Sequence, residues 1–176
     1  DITSVINSLC EKLIHRHPHI YGDVQVADEA EVSRNWEQLK LKEGKTSVLE
    51  GVPVSLPALV KSMRIQEKAR SAGFDWEQPE QVFEKVEEEF EEFKVEIAND
   101  DQQKMEEEFG DLMFALVNYA RFKKINPEEA LERTNKKFIR RFRYLEDQAA
   151  ANGQHLQSMS LDEMDVYWNE AKKKGL

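Results

Sequence analysis

An all-helical fold is what this sequence predicts, on three observations. Gly and Pro are scarce, seven and five among 176 residues, so a turn-rich β architecture is disfavoured. Apolar residues recur at helical spacing through most of the chain, and no segment shows convincing strand alternation. Helix-start signals stand where that periodicity begins, as in Asn126-Pro127-Glu128-Glu129 and Ser160-Leu161-Asp162-Glu163.

Taken in order, residues 1–16 read as an amphipathic helix carrying Ile2, Val5, Ile6, Leu9 and Leu13 on one stripe. His15, His17 and His19 end it. Pro18 interrupts the helix there, and no Cys or carboxylate set accompanies the histidines, so a solvated helix end is the better reading. A second helix is expected over about 29–42, anchored by Val32, Trp36 and Leu39. Residues 44–57 form a linker. Its Gly44-Lys45-Thr46 lacks the upstream Gly and the strand that a phosphate-binding loop requires. Further helices are expected over about 57–72, 79–98, 101–124 and 126–150, with a last one opening at Ser160 and holding Trp168. Phe74 and Trp76 read as core anchors between the first two of these. The domain organisation expected is 1–43 as a helical annex, 44–57 as linker and 58–176 as the main domain.

Composition narrows the function. The net charge is −10, which opposes general binding to nucleic-acid backbones. No charge-free run approaches the roughly 20 residues that span a bilayer, so no membrane role is expected. The single cysteine, Cys10, and the lack of a basic-led apolar leader fit a cytoplasmic protein. Acid gathers in residues 84–108, whereas Lys136-Lys137-Phe138-Ile139-Arg140-Arg141-Phe142-Arg143 is basic.

The acidic residues are not equivalent. Over 79–98, Phe83, Val86, Phe90, Phe93 and Ile97 form an apolar stripe, and Lys85, Glu89, Glu92 and Glu96 line one border of it. Over 101–124 the stripe is Met105, Phe109, Leu112, Met113, Leu116 and Ala120, with Glu108 beside it and Lys104 and Asp111 further round the same flank. Phe114, Ala115 and Phe122 make that helix apolar nearly all round, which predicts burial. The pairs Glu89/Glu92 and Glu108/Asp111, on adjacent antiparallel helices, would surround one small volume with four carboxylates. Oxygen-only ligands select Mg²⁺ or Mn²⁺. A di-iron bundle needs Glu-x-x-His pairs, and the four histidines supply none. Glu87, Glu91, Glu106 and Glu107 read as ordinary solvated acids. On the next helix, Lys137 and Arg141 border a stripe of Leu131, Thr134, Phe138, Phe142 and Leu145, whereas Lys136 and Arg143 point elsewhere.

Lys85-Val86-Glu87-Glu88-Glu89-Phe90-Glu91-Glu92, followed by Glu107-Glu108-Phe109-Gly110-Asp111, resembles the signature of the all-α nucleoside triphosphate pyrophosphohydrolases, and the MazG family in particular. Asn135 to Arg143, Gly73-Phe74-Asp75-Trp76, Arg16 to Tyr21 and Asn35 to Lys40 extend the likeness over nearly the whole chain. One departure is that two-domain MazG proteins carry a carboxylate signature in each half, and one is present here. The chain is therefore expected to be the C-terminal part of a longer protein, with 1–43 the remnant of a first MazG domain plus connector and 58–176 the catalytic domain.

The resemblance implies a four-to-five-helix bundle and hydrolysis of nucleoside triphosphates to monophosphate and pyrophosphate. It implies metal ligands at Glu89, Glu92, Glu108 and Asp111, with Mg²⁺ as the cofactor, and a homodimeric assembly. It also implies nucleotide contacts at Lys85, Glu88, Lys104, Glu107, Asp111, Lys137, Arg140, Arg141 and Trp168. Glu88 and Glu89 are the candidate catalytic residues, Glu88 orienting or deprotonating water. Trp168 has two readings, a core anchor of the last helix or a stacking plate for a base. Two other functions stay open on the residues: a non-catalytic helical module whose acidic face docks a basic partner, and a pyrophosphatase restricted to one nucleotide such as dUTP.

Overall fold

Capping chemistry sets the element boundaries. The computed structural model describes residues 1–28, 31, 32, 35, 36, 39 and 46–176, and among these no strand occurs. Most of the helix expected at 29–42 lies outside the described residues. The chain divides into two compact units, Asp1–Lys124 and Ile125–Leu176.

The first unit contains α1 (Ile2–Arg16), the single turn α2 (Pro18–Tyr21), α3 (Ala58–Ser71), α4 (Pro79–Asn99) and α5 (Gln102–Phe122). Asp1 caps α1 by accepting from the backbone amide of Ser4 (3.3 Å) and from that of Thr3, and the expected stripe Ile2, Val5, Ile6, Leu9 and Leu13 is exposed within the chain. Described linker residues 46–57 are turns and bends. They are tied to α3 by Lys61 Nζ donating to the Val54 carbonyl (2.7 Å) and Lys68 Nζ to the Val48 carbonyl (3.1 Å). Gly73, at φ 91, turns the chain out of α3 in the left-handed region that favours glycine.

Helices α4 and α5, each of 21 residues, form a hairpin joined by Asp100 and Asp101. Asp100 ends α4 in the left-handed conformation, and the Asp101 carboxylate caps α5 by accepting from the Lys104 amide (3.2 Å). Buried Val86, Leu112 and Ala115 form the core between the two, with Phe93 and Tyr119 packed against it. Gln66 of α3 is buried and donates to the Phe114 carbonyl of α5 (2.8 Å).

The apolar stripes lie elsewhere than hydrophobicity alone predicts. The buried line of α4 runs Val82, Val86, Glu89 with half-buried Phe93, and Phe83, Phe90 and Ile97 stay exposed. At 100° per residue the observed line is rotated by roughly 50° from the expected stripe, toward its acidic border. Helix α5 is rotated the same way: Glu108, Leu112, Ala115 and Tyr119 follow the same four-three-four spacing, while Phe109, Leu116 and Phe114 are exposed. The expectation that this part of α5 is buried nearly all round holds only in part: Leu112, Ala115 and Val117 are buried and Phe122 is half-buried, but Phe114 and Leu116 are exposed. The reason is that α3 and α4 cover only part of its circumference. Phe74 and Trp76 are not core anchors either; they are 84% and 44% exposed. Between them, Asp75 takes a bidentate grip on Arg121 at the end of α5, with Nη1 donating to Oδ2 at 3.0 Å and Nη2 donating to Oδ1.

The second unit contains α6 (Pro127–Ala151), a 3₁₀ turn (Leu156–Ser158) and α7 (Leu161–Lys173). Both start signals read from the sequence form. The Asn126 side chain accepts from the Glu129 amide (3.3 Å) ahead of Pro127. Ser160 and Glu163 close a reciprocal capping box, the Glu163 carboxylate accepting from the Ser160 amide at 2.7 Å. Leu145, Ala149, Met159 and Ala171 are buried here. Among the described residues, no helix is long and apolar enough to cross a membrane.

Candidate functional site

The rotation of both stripes puts an acid into each buried line. Glu89 takes a core position of α4 and is 7% exposed. Glu108 takes the matching position on α5 and is half-buried, and Asp111, one turn on, is exposed. Antiparallel pairing then sets the three face to face: one carboxylate oxygen from each lies within 4.8 Å of the others.

Such a cluster is electrostatically unfavourable in isolation. The Glu108 carboxyl is held above its ordinary value, first by loss of water around it and then by the charges of Glu92, Asp111, Glu89 and Glu96. The counter-charge that the fold supplies is Lys85, whose Nζ lies 2.8 Å from Glu89 Oε1 and 2.7 Å from Glu88 Oε1. These bonds push the Lys85 ammonium well above the usual lysine value. The donor set is oxygen-only, convergent and over-charged, and no His or Cys joins it among the described residues. It fits a hard divalent cation.

Of the four carboxylates expected around one volume, three converge. Glu92 is exposed and outside the triad, though near enough for its charge to act on Glu108. Its wheel position explains this: it lies further from the buried line than Glu89 does, on the solvent side of the border. Glu88 is exposed and engaged by Lys85. Lys104 is exposed on α5, one turn before Glu108. Glu107 is exposed and accepts from Gln103 Nε2 (3.1 Å), a local bond along the helix surface. Glu106 and Glu91, read as solvated acids, bond in the same local way to Gln102 and Lys94.

The remaining predicted contacts are on the second unit. Lys137 and Arg140 are exposed on α6. Arg141 is half-buried; its Nε donates to the Leu176 carbonyl (2.7 Å) and its guanidinium lies 5.9 Å from the Trp168 ring centre. Trp168, also half-buried, meets the Phe138 ring at 5.0 Å. Its packing within this unit serves the anchor reading and leaves part of the ring exposed. Lys136, expected to point away, pairs with Glu132 at 3.2 Å in solvent.

Two features were missed from sequence. Buried Gln66 gave no signal, being one polar residue in a charged helix. Asp75 stood in a quoted motif, but its partner Arg121 is 46 residues away and only the fold joins them.

The family described as MazG nucleotide pyrophosphohydrolase domain matches residues 77–145, which takes in α4, α5 and the first part of α6. The nucleoside triphosphate pyrophosphohydrolase/pyrophosphatase MazG of Thermotoga maritima is 41% identical over 174 residues, covering 97% of this chain and 66% of that protein. The nucleoside triphosphate pyrophosphohydrolase of Escherichia coli K12 is 39% identical over 180 residues, covering 99% of this chain and 68% of that protein. An uncharacterized protein of Bacillus subtilis, YabN, is 49% identical over 176 residues, 98% of this chain and 36% of that protein. The chain thus spans about two thirds of the first two relatives and about a third of YabN. The similarity runs through the carboxylate helices and nearly the full length besides, and the chain belongs to the MazG family of nucleotide pyrophosphohydrolases.

Proposed function

We propose that this protein hydrolyses nucleoside triphosphates, ribo- or deoxyribo-, to the monophosphate and pyrophosphate with Mg²⁺ as cofactor. The observation that carries the reading is the meeting of Glu89, Glu108 and Asp111 from two antiparallel helices. The names of the Thermotoga and Escherichia relatives support the substrate class.

In this reading Glu89, Glu108 and Asp111 hold the cation, and Glu92 joins them from the border of α4. A bound divalent cation neutralises charge on the triphosphate and lowers the pKa of a water molecule. Lys85 and Lys104 flank the carboxylates and offer ammonium groups to phosphate oxygens. Glu88 orients the attacking water or takes its proton through Oε2, the carboxylate oxygen that Lys85 does not engage. Glu107 lies beside the nucleotide. Lys137, Arg140, Arg141 and Trp168 enter as nucleotide contacts on the family resemblance. Residues 58–176 are the proposed catalytic domain, following a connector and linker.

The working form is proposed to be a homodimer in the cytoplasm. The apolar flank shared by α4 and α5, with Phe83, Phe90, Ile97, Phe109 and Leu116 exposed, is the surface that a second copy would cover. The lone exposed thiol, Cys10, suits a reducing compartment.

Product analysis after incubation with Mg²⁺ and a panel of NTPs and dNTPs tests the reaction. Monophosphate and pyrophosphate are expected; diphosphate and orthophosphate would overturn the assignment. Turnover of one nucleotide alone would make the enzyme a specialised one. Failure of every nucleotide, together with a melting temperature indifferent to Mg²⁺, would leave a helical interaction module.

A further inference from the structure

Glu89 presents a problem that the divalent cation alone does not solve. A carboxylate this buried is costly without a partner in every state the protein visits, including the metal-free one. The partner present is Lys85, at 2.8 Å.

Three features of that contact are unlike a permanent structural ion pair. Lys85 precedes Glu89 by four residues on one helix, the weaker of the two orders for such a pair, so helix preference contributes little to it. Its side chain is 34% exposed, whereas the Glu89 side chain is 9% exposed, so the ammonium reaches the cluster from its wet side on a flexible four-carbon stem. It is also bonded at 2.7 Å to Glu88, whose side chain is 55% exposed and lies toward solvent. The Glu88 contact gives Lys85 a second anchor that survives when the Glu89 contact is broken.

We propose that Lys85 is the internal counter-ion of the carboxylate cluster: it pairs with Glu89 in the metal-free protein, gives way when a divalent cation binds, and remains held by Glu88 with its ammonium free for a phosphate oxygen. The inference rests on the metal-site reading above. It adds a competition between ammonium and divalent cation for one carboxylate. The folded site is thereby kept intact between turnovers at the cost of metal affinity, and affinity is regained when a phosphate takes over the ammonium.

The test is calorimetric titration of Mg²⁺, at fixed ionic strength and without nucleotide, into the metal-free protein and two variants of equal net charge, Lys85→Met and Lys104→Met. Competition predicts roughly tenfold tighter Mg²⁺ binding for Lys85→Met, and less than about a twofold change for Lys104→Met. In EDTA, Lys85→Met also melts below the wild type and recovers on adding Mg²⁺, whereas Lys104→Met does neither. Equal tightening in the two variants would mean a general field effect and would overturn the proposal while leaving the metal site standing. Absence of any Mg²⁺ binding by the wild type would remove the metal reading itself. Should Lys85→Met not fold without metal, Lys85→Gln supports the same comparison, with about threefold tightening expected and none overturning the idea.

Discussion

The α4–α5 hairpin and the α6–α7 unit are both helical pairs, yet they use charge in opposite ways. In the hairpin, acids occupy positions of the buried line, and Glu108 feels four like-charged neighbours. In the second unit the basic residues of α6 other than half-buried Arg141 are exposed, and charge serves the helix ends, as in the Ser160–Glu163 box. One region holds charge against its electrostatic preference and the other follows it. On the proposed function the contrast separates carboxylates placed for metal binding from charges that stabilise helix ends, and substitutions of the two kinds should respond differently.

The largest effect is expected at the hairpin. Glu108→Gln or Asp111→Ala should lower kcat/KM for NTP hydrolysis by at least about a hundredfold, while Glu108→Gln should raise the metal-free melting temperature by relieving like-charge repulsion. Loss of activity with lower metal-free stability would make Glu108 an ordinary structural residue. Next comes the clamp at the end of α5. Its Arg121 side chain is 9% exposed and that of Asp75 21%, and Asp75→Ala leaves the guanidinium buried without that counter-charge, its Nε and Nη2 still donating to the neutral Asn118 amide oxygen. A loss of about 3 kcal/mol is expected in urea unfolding. Asp75→Ala combined with Arg121→Ala should cost less than the sum of the single changes.

A smaller effect belongs to the second unit. Ser160→Ala should cost about 1 kcal/mol with little change in kcat. The smallest is a pH effect. The Ser160 amide, and then its hydroxyl, hold the Glu163 carboxyl below its ordinary value. Its folded pKa lies below the unfolded one, so the stabilisation is present above the ordinary carboxylate range and is lost as pH falls through the lowered value. Glu163→Gln should remove that part of the acid dependence, read as melting temperature between roughly pH 3 and 6. An unchanged acid limb would mean that the box contributes nothing through charge.

Capping was legible in the sequence because it is local: Asn126 with Pro127, and Ser160 with Glu163, act within four residues. The helical class followed from periodicity for the same reason. The direction of each buried face was not. Hydrophobicity centred the α4 stripe on Phe83, Phe90 and Ile97, which the structure leaves exposed. Glu89 read as a border residue because apolar counting gives no weight to a buried acid. The family signature singled out Glu89, Glu108 and Asp111, and these converge; it also named Glu92, whose place outside the triad depends on a rotation that no motif encodes. Asp75 was visible as part of a motif, but pairing across 46 residues is a property of the fold.

The two-residue join between α4 and α5 has a consequence for how the site comes into being. Glu89, Glu108 and Asp111 lie within about twenty residues of one another in the chain, on either side of Asp100 and Asp101. Bringing them together closes a short loop, at an entropy cost far below that of a site gathered from distant segments. Contacts so local form early, and the hairpin needs nothing beyond its own turn to set their register. A nascent chain would therefore raise its concentration of like charge before most of its other contacts exist. On the proposed function, cation binding would then be a folding event as well as a catalytic one, with the ambient divalent ion acting on the hairpin as it closes.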